Sequence, residues 1–166
     1  MGTFTEHISQ GKNNLTFLTD VNKNINDNWD WQVTVCFYIA LHFVSAHIVS
    51  KTEKNYLSHT NINDAINPTT QLSVAKLDET TYLAYNKLYQ LSRRARYLIN
   101  ENKKKTAGVD VQGCNLTYSI HFKKAISHLE VVMNYMTDNY AITFSKSEIN
   151  CIDLKGLTFN NFKIIT

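Results

Sequence analysis

A cluster of cationic side chains stands out in the sequence. Six lysines and arginines lie between residues 93 and 105 against Glu101 alone, so this stretch carries a net charge of +5 in a chain whose total is +3. Guanidinium groups bind phosphate through paired N–H donors, and a neighbouring aromatic ring can stack on a base. The candidates for binding RNA or nucleotide phosphate are therefore Arg93, Arg94, Arg96 and Tyr97. The alternative is a solvated helix end, where cations suit the helix dipole.

A second group of candidates lies in and after the long stretch from residue 31 to residue 50, which contains no Asp, Glu, Lys or Arg. Tyr38, His42 and Ser45 recur there at helical spacing, which places their polar atoms in one partly buried row. Buried polar groups need partners, because an unpaired one costs ~1–3 kcal/mol. Together with His59, these residues are candidates for a small polar pocket. For His42 alone, a satisfied core histidine is the favoured interpretation.

Other chemistry is not indicated by the sequence. The chain has no glycine-rich phosphate loop, no HExxH motif and no CxxC pair, and its three cysteines follow no metal-ligand spacing. We therefore predict neither a metal nor a cofactor. No apolar leader precedes the cysteines, which predicts reduced thiols and a cytoplasmic protein.

Apolar residues at alternating three- and four-residue spacing predict the elements that position these side chains. Residues 31–50 form the central helix, with a core stripe of Phe37, Leu41, Val44 and Ile48. Six polar residues spread along this stretch argue against a membrane span. The other helices are predicted over residues 4–20, 61–66, from near 78 to 98, and 117–140.

These elements predict an all-α fold, an up-and-down bundle of four to five helices, in one domain. The bundle is expected over residues 1–140, and residues 141–166 are expected to form a C-terminal extension packed on it. The helical period ends after Tyr140, and residues 157–165 are apolar and partly β-branched. This composition favours a short β-hairpin or a strand in the extension.

Three segments of the chain resemble HEPN domains (higher eukaryotes and prokaryotes nucleotide-binding). They are FYIALHFVSAHIV in the central helix, YLSH ending at His59, and YNKLYQLSRRARY ending at Tyr97. The resemblance covers roughly residues 5–140 and implies a helical bundle, often dimeric, so we expect a homodimer. Many HEPN members are metal-independent ribonucleases with an arginine followed, after four to six residues, by a histidine. No histidine follows Arg93, Arg94 or Arg96 at that spacing, so the chain resembles a divergent member.

Three functions remain open at this point. The favoured one is a non-catalytic HEPN-like domain that binds RNA or nucleotide phosphate through the basic helix end. The second is a metal-independent endoribonuclease of the toxin or defence type with an altered active site, for example Arg96, Tyr97 and His59 or His42. The third is a protein–protein interaction module without a nucleic-acid role.

Overall fold

A computed structural model describes residues 2–98 and 116–166 of the chain. The described residues form five α-helices: α1 (Phe4–Asn24), α2 (Trp29–Thr52), α3 (His59–Ile66), α4 (Glu79–Tyr97) and α5 (Ser119–Tyr140). They are followed by strand β1 (Ser147–Ile149), a single 3₁₀ turn (Ile152–Leu154) and strand β2 (Phe162–Ile164). The predicted all-α bundle is confirmed. The predicted basic residues Lys103, Lys104 and Lys105 lie outside the described residues.

Helix α2 is the centre of the bundle and packs against α1, α4 and α5. Phe37, Val44 and Ile48 of the predicted stripe are buried, whereas Leu41 is only partly buried. By length and composition alone α2 could span a membrane, but most of it is buried against the rest of the protein. Because α2 has packed neighbours on several sides, it is apolar around most of its circumference.

Helices α1 and α2 approach each other closely at Gly11. A Cβ atom added at this glycine would lie 2.4 Å from the ring of Phe43 on α2. No real Cβ atom could occupy that position, so the missing side chain lets the Phe43 ring fill the space. Glycine weakens an exposed helix by ~1 kcal/mol relative to alanine, and here close packing offsets that loss.

A buried histidine links α2 to α5 and to the segment before α4. His47 is 1% exposed, and its Nε2 donates a hydrogen bond to the carbonyl of Ala75 (3.0 Å). Since a carbonyl can only accept, Nδ1 of the neutral ring is left to accept a bond from the hydroxyl of Tyr140 (2.7 Å). Burial lowers the pKa of His47, which keeps the ring neutral.

The C-terminal extension carries a parallel pair of strands, so its two short strands do not form a hairpin. Ser147 pairs with Phe162 and Ile149 with Ile164. The chain returns through the 3₁₀ turn and Gly156, whose φ of 82° suits glycine. The extension therefore contains a compact crossover between two strands of three residues each.

Two buried polar side chains hold the extension against the helices. Glu130 of α5 accepts hydrogen bonds from the backbone amides of Asn160 (2.5 Å) and Asn161 (3.3 Å). Asn22 of α1 donates to the carbonyl of Asn150 (3.0 Å) and accepts from its amide (2.7 Å). These bonds satisfy the backbone of a segment that has little regular structure of its own.

Candidate functional site

Helix α4 presents the predicted arginines at its C-terminal end. It begins after Asp78, whose carboxylate accepts a bond from the amide of Thr81 (2.9 Å), and it ends at Leu98, whose φ is 53°. Arg93 and Arg96 are three residues apart, which places them on neighbouring positions of one face. Tyr97 is exposed at the end of the same helix.

Arg96 lies over two aromatic rings. Its guanidinium carbon is 5.9 Å from the ring centre of Tyr38 on α2 and 5.0 Å from that of Tyr97. Its Nε donates to the carbonyl of Ser92 (3.4 Å), and one terminal nitrogen donates to the hydroxyl of Tyr97 (3.5 Å). Both bonds are long, and within the described chain Arg96 has no carboxylate partner. The rings therefore orient a cation that still has N–H donors for an anionic ligand.

His59 brings α3 to the same place. It is the first residue of α3, after the N-cap Ser58, whose hydroxyl accepts a bond from the amide of Asn61 (3.1 Å). The ring centre of His59 lies 5.0 Å from that of Tyr89 on α4 and 5.4 Å from that of Phe37 on α2. The guanidinium of Arg93 in turn lies 5.7 Å from the ring centre of Tyr89. Three helices thus contribute to one aromatic and cationic cluster.

The protonation of His59 is shifted by this environment. Burial lowers the pKa of His59, and the positive charges of Arg96 and Arg93 lower it further. A neutral imidazole at pH 7 is the consequence. Its Nδ1 is buried and has no hydrogen-bond partner in the described part of the chain. No hydrogen bond joins His59 to Arg96 or Tyr97 among the described residues.

A pocket of about 350 Å³ opens between α3 and α4 beside this cluster. His59, Tyr85, Tyr89 and Arg93 are among the residues that line it. Tyr85 is 2% exposed, and its hydroxyl has no hydrogen-bond partner within the described residues. Burial raises the pKa of Tyr85, so the hydroxyl stays protonated and can donate.

The structure brings together some of the predicted site residues and separates others. Tyr38, His59, Arg93, Arg96 and Tyr97 meet in the cluster described above. The cluster does not include the remaining candidates, Arg94, His42 and Ser45. The charge of Arg94 acts on His121 of α5, and Ser45 is half-buried two helical turns from Tyr38.

His42 is half-buried and has a partner, as favoured from the sequence. Its Nδ1 lies 3.2 Å from Nδ1 of His7 on α1, whose Nε2 is 2.7 Å from the side-chain oxygen of Asn55. Burial lowers the pKa of His42, and the neighbouring His7 lowers it further. Two imidazoles alone make a poor metal site, and the described residues contain no group of three or more His, Cys, Asp or Glu that could hold a metal ion.

Tyr85 was not predicted as a site residue, although the sequence contains a signal for it. Thr81, Tyr85, Leu88 and Ser92 follow the helical period along the buried face of α4, so hydroxyls recur where apolar groups are expected. Of these hydroxyls, that of Thr81 bonds to Asp78 (2.7 Å), whereas those of Tyr85 and Ser92 are unpaired among the described residues. Of these residues on the buried stripe, Tyr85 is the one that lines the pocket.

Comparisons with protein-family models, with curated proteins and with solved structures give no match to this chain. The resemblance to HEPN domains therefore stays a prediction that depends on the three segments named above. The side chains that lie together at the ends of α3 and α4 are therefore the basis for proposing a function.

Proposed function

We propose that this protein is a non-catalytic, HEPN-like domain that binds RNA or a nucleotide through its phosphate groups. The contacts would come from Arg93, Arg96 and Tyr97 of the cluster, and from Arg94, which lies outside the cluster at the same end of α4. The observation that carries the proposal is the placement of Arg96 over the rings of Tyr38 and Tyr97 without a carboxylate partner among the described residues.

The chemistry of this cluster suits a phosphodiester. A guanidinium presents a planar fork of donors that matches two phosphate oxygens, and stacking on tyrosines reduces the freedom lost on binding. Exposed faces of Tyr97 and Tyr38 offer platforms for bases, which stack on aromatic rings with little sequence preference. Phosphate and base contacts would then lie side by side.

The test is binding of a single-stranded RNA oligonucleotide at several salt concentrations, followed by fluorescence anisotropy. Affinity should fall steeply with salt, because each neutralised phosphate releases counterions. Arg96→Ala should weaken binding and reduce the slope of log K against log salt by about 0.7, the share of one phosphate on a single strand. The triple variant with alanine at Arg93, Arg94 and Arg96 should lose most of the binding.

Lys155→Ala is the matched control for Arg96→Ala. Lys155 is exposed on the C-terminal extension, and its removal changes the net charge by the same single unit. Equal losses in the two variants would mean that RNA responds only to total charge. Absence of any salt-dependent binding would leave the protein–protein interaction module as the function.

A metal-independent endoribonuclease is the second candidate, favoured by the neutral His59 beside Arg93 and Arg96. A neutral imidazole can accept the 2′-hydroxyl proton, and a guanidinium can stabilise the phosphorane charge. Such a reaction also needs an acid for the leaving oxygen, and among the described neighbours of His59 only tyrosine hydroxyls are available. Cleavage in the presence of a chelator that disappears in His59→Ala but persists in His42→Ala would establish this candidate over the first.

A homodimer and a cytoplasmic location form part of the same proposal. Both are expectations from the sequence, and the dimer is implied by the resemblance to HEPN domains. Sedimentation of the purified protein at several concentrations tests the dimer directly, and a monomer at all of them would remove that part of the proposal.

A further inference from the structure

The pocket between α3 and α4 differs from ordinary surface grooves in its lining. Among the described residues that line it, Arg93 is the cation and none is a carboxylate. Amide side chains of Asn63, Asn86 and Gln90 contribute both donors and acceptors. At about 350 Å³ the pocket lies at the small end of ligand sites, which span ~300–1,000 Å³.

Two polar atoms in this pocket's walls lack partners. The hydroxyl of Tyr85 and Nδ1 of His59 are buried and make no hydrogen bond within the described chain. Leaving a buried polar group unpaired is unfavourable, and the same protein satisfies Glu130 and His47 in full. Unpaired polar atoms on two side chains that line one pocket are expected where a ligand supplies the missing partners.

We infer that this pocket holds a single nucleobase. It is the base of the nucleotide whose phosphate is bound by Arg93, Arg96 and Tyr97, which we call the arginine cluster. This inference rests on the proposed function and names where the base of that ligand goes. A base is flat, uncharged and edged with both donors and acceptors. Tyr89 and His59 provide ring walls, whereas Tyr85 and the amides provide the polar groups that a base edge requires.

Arg93 lies between the proposed sites for the base and for the phosphate of the ligand. This residue lines the pocket, and its guanidinium lies over Tyr89, which also lines it. Arg93 and Arg96 are neighbours on the same helix face, so a phosphate attached to a base in the pocket would meet the arginine cluster. A free nucleotide and an unstacked base of RNA offer the same chemistry to this site.

Calorimetric titrations with the full chain test the inference, using three kinds of probe: uridine and adenosine 5′-monophosphates, the two free nucleosides, and ribose 5-phosphate. Tyr85→Phe removes only the buried hydroxyl. It should weaken the preferred monophosphate and its nucleoside at least tenfold and leave ribose 5-phosphate binding unchanged. Arg96→Ala should weaken ribose 5-phosphate and the monophosphate but not the nucleoside. In the wild type, the monophosphate should displace bound RNA.

Two further variants keep the test decisive. Tyr82→Phe removes a tyrosine hydroxyl from the same helix outside the pocket and should change no affinity. Asn86→Ala removes a lining amide and should weaken the nucleoside several-fold, which provides a second readout if Tyr85→Phe impairs folding. Ligand-free Tyr85→Phe should melt at or above the wild-type temperature, because it removes an unpaired group.

The outcomes separate the pocket from the phosphate site. If ribose 5-phosphate binds through Arg96 while nucleosides do not bind, or bind equally well to Tyr85→Phe, the pocket inference fails and the proposed function stands. If Tyr85→Phe weakens ribose 5-phosphate, the pocket holds phosphate and the inference is wrong. If no phosphate-bearing probe or RNA binds in an Arg96-dependent way, the proposed function itself fails.

Discussion

Two regions of this protein differ in whether their buried polar groups are hydrogen-bonded. On the side where α1, α2 and α5 meet the C-terminal extension, His47, Glu130 and Asn22 each bond to groups elsewhere in the chain. At the end where α3 meets α4, the hydroxyl of Tyr85 and Nδ1 of His59 have no hydrogen-bond partner among the described residues. We call these the paired region and the α3–α4 end. The paired region therefore contributes to stability, whereas the α3–α4 end is the region where we have proposed a binding site.

Packing does not distinguish the two regions. Beneath the α3–α4 end, the buried ring of Phe37 lies within 6 Å, centre to centre, of the rings of Tyr38, His59, Tyr85 and Tyr89. Unpaired polar atoms therefore sit above a well-packed apolar floor, not in a loose part of the bundle. The packed apolar residues would preserve the shape of the proposed pocket when no ligand is bound.

The largest expected effect is that of Phe37→Ala, which removes the buried aromatic ring beneath the α3–α4 end. It should lower the free energy of unfolding by about 3–5 kcal/mol, the usual range for a buried phenylalanine. Chemical denaturation followed by circular dichroism measures it. Leu41→Ala is the comparison within the same helix and should cost less, because Leu41 is only partly buried. A loss below about 1 kcal/mol for Phe37→Ala would show that the floor is not packed.

The next effect concerns a histidine in each region. His47→Ala should lower the free energy of unfolding by about 2–4 kcal/mol, because it opens a cavity and strands the buried carbonyl of Ala75. His59→Ala should lower it by less than about 1.5 kcal/mol, since His59 is half-exposed and its Nδ1 has no partner in the described chain. Equal losses in the same denaturation assay would contradict the distinction between the regions.

Lower pH should destabilise the protein through the same two histidines. Burial lowers the pKa of both in the folded state, and an unfolded histidine titrates near about 6.5. The unfolded chain thus binds more protons below that pH, so stability is complete above it and falls as pH decreases. The buried His47 adds at most about 1.4 kcal/mol per pH unit, and His47→Ala should flatten the profile by up to that amount. The contribution of the half-exposed His59 is smaller, because solvent screens its charge. Denaturation at several pH values between about 5 and 7 checks the slope, and a flat wild-type profile would contradict it.

The smallest effect compares two hydroxyls on α4. Ser92→Ala should leave stability unchanged or raise it by up to about 1 kcal/mol, since it removes an unpaired buried group and introduces a better helix former. Thr81→Val, which removes a hydroxyl bonded to Asp78, should cost about 1 kcal/mol. Thermal melting of the two variants in parallel provides the measurement. A destabilised Ser92→Ala would mean that this hydroxyl has a partner.

Local patterns in the sequence were sufficient to predict the helices. The alternating three- and four-residue stripes of α2, α4 and α5 come from residues close in the chain, and Asp78 marks the start of α4 as an N-cap. The parallel pairing of β1 and β2 was not predictable in this way. Each strand has three residues, too few to establish a period, and a parallel pair depends on contacts between distant residues.

Several residues of the candidate site were predictable from the sequence, but their arrangement was not. Arg93, Arg94 and Arg96 are evident from composition, but the contact of Arg96 with Tyr38 depends on how α4 crosses α2, which no local pattern encodes. Tyr85 was missed for a different reason. A tyrosine on an apolar stripe is usually a core residue that happens to carry a hydroxyl, and only the three-dimensional surroundings show that this hydroxyl lacks a partner.

The bond between Asn22 and Asn150 has a consequence for the order in which the chain folds. The two residues are 128 positions apart, yet Asn22 is 1% exposed and bonds both backbone groups of Asn150. At ~5–20 residues per second, a ribosome makes residue 150 about 6–26 s after residue 22. During that interval the only described partner of the Asn22 amide is Gln32. Asn22 can therefore make these two bonds only after residue 150 has been synthesised, so the C-terminal extension determines when the polar groups of α1 are fully paired.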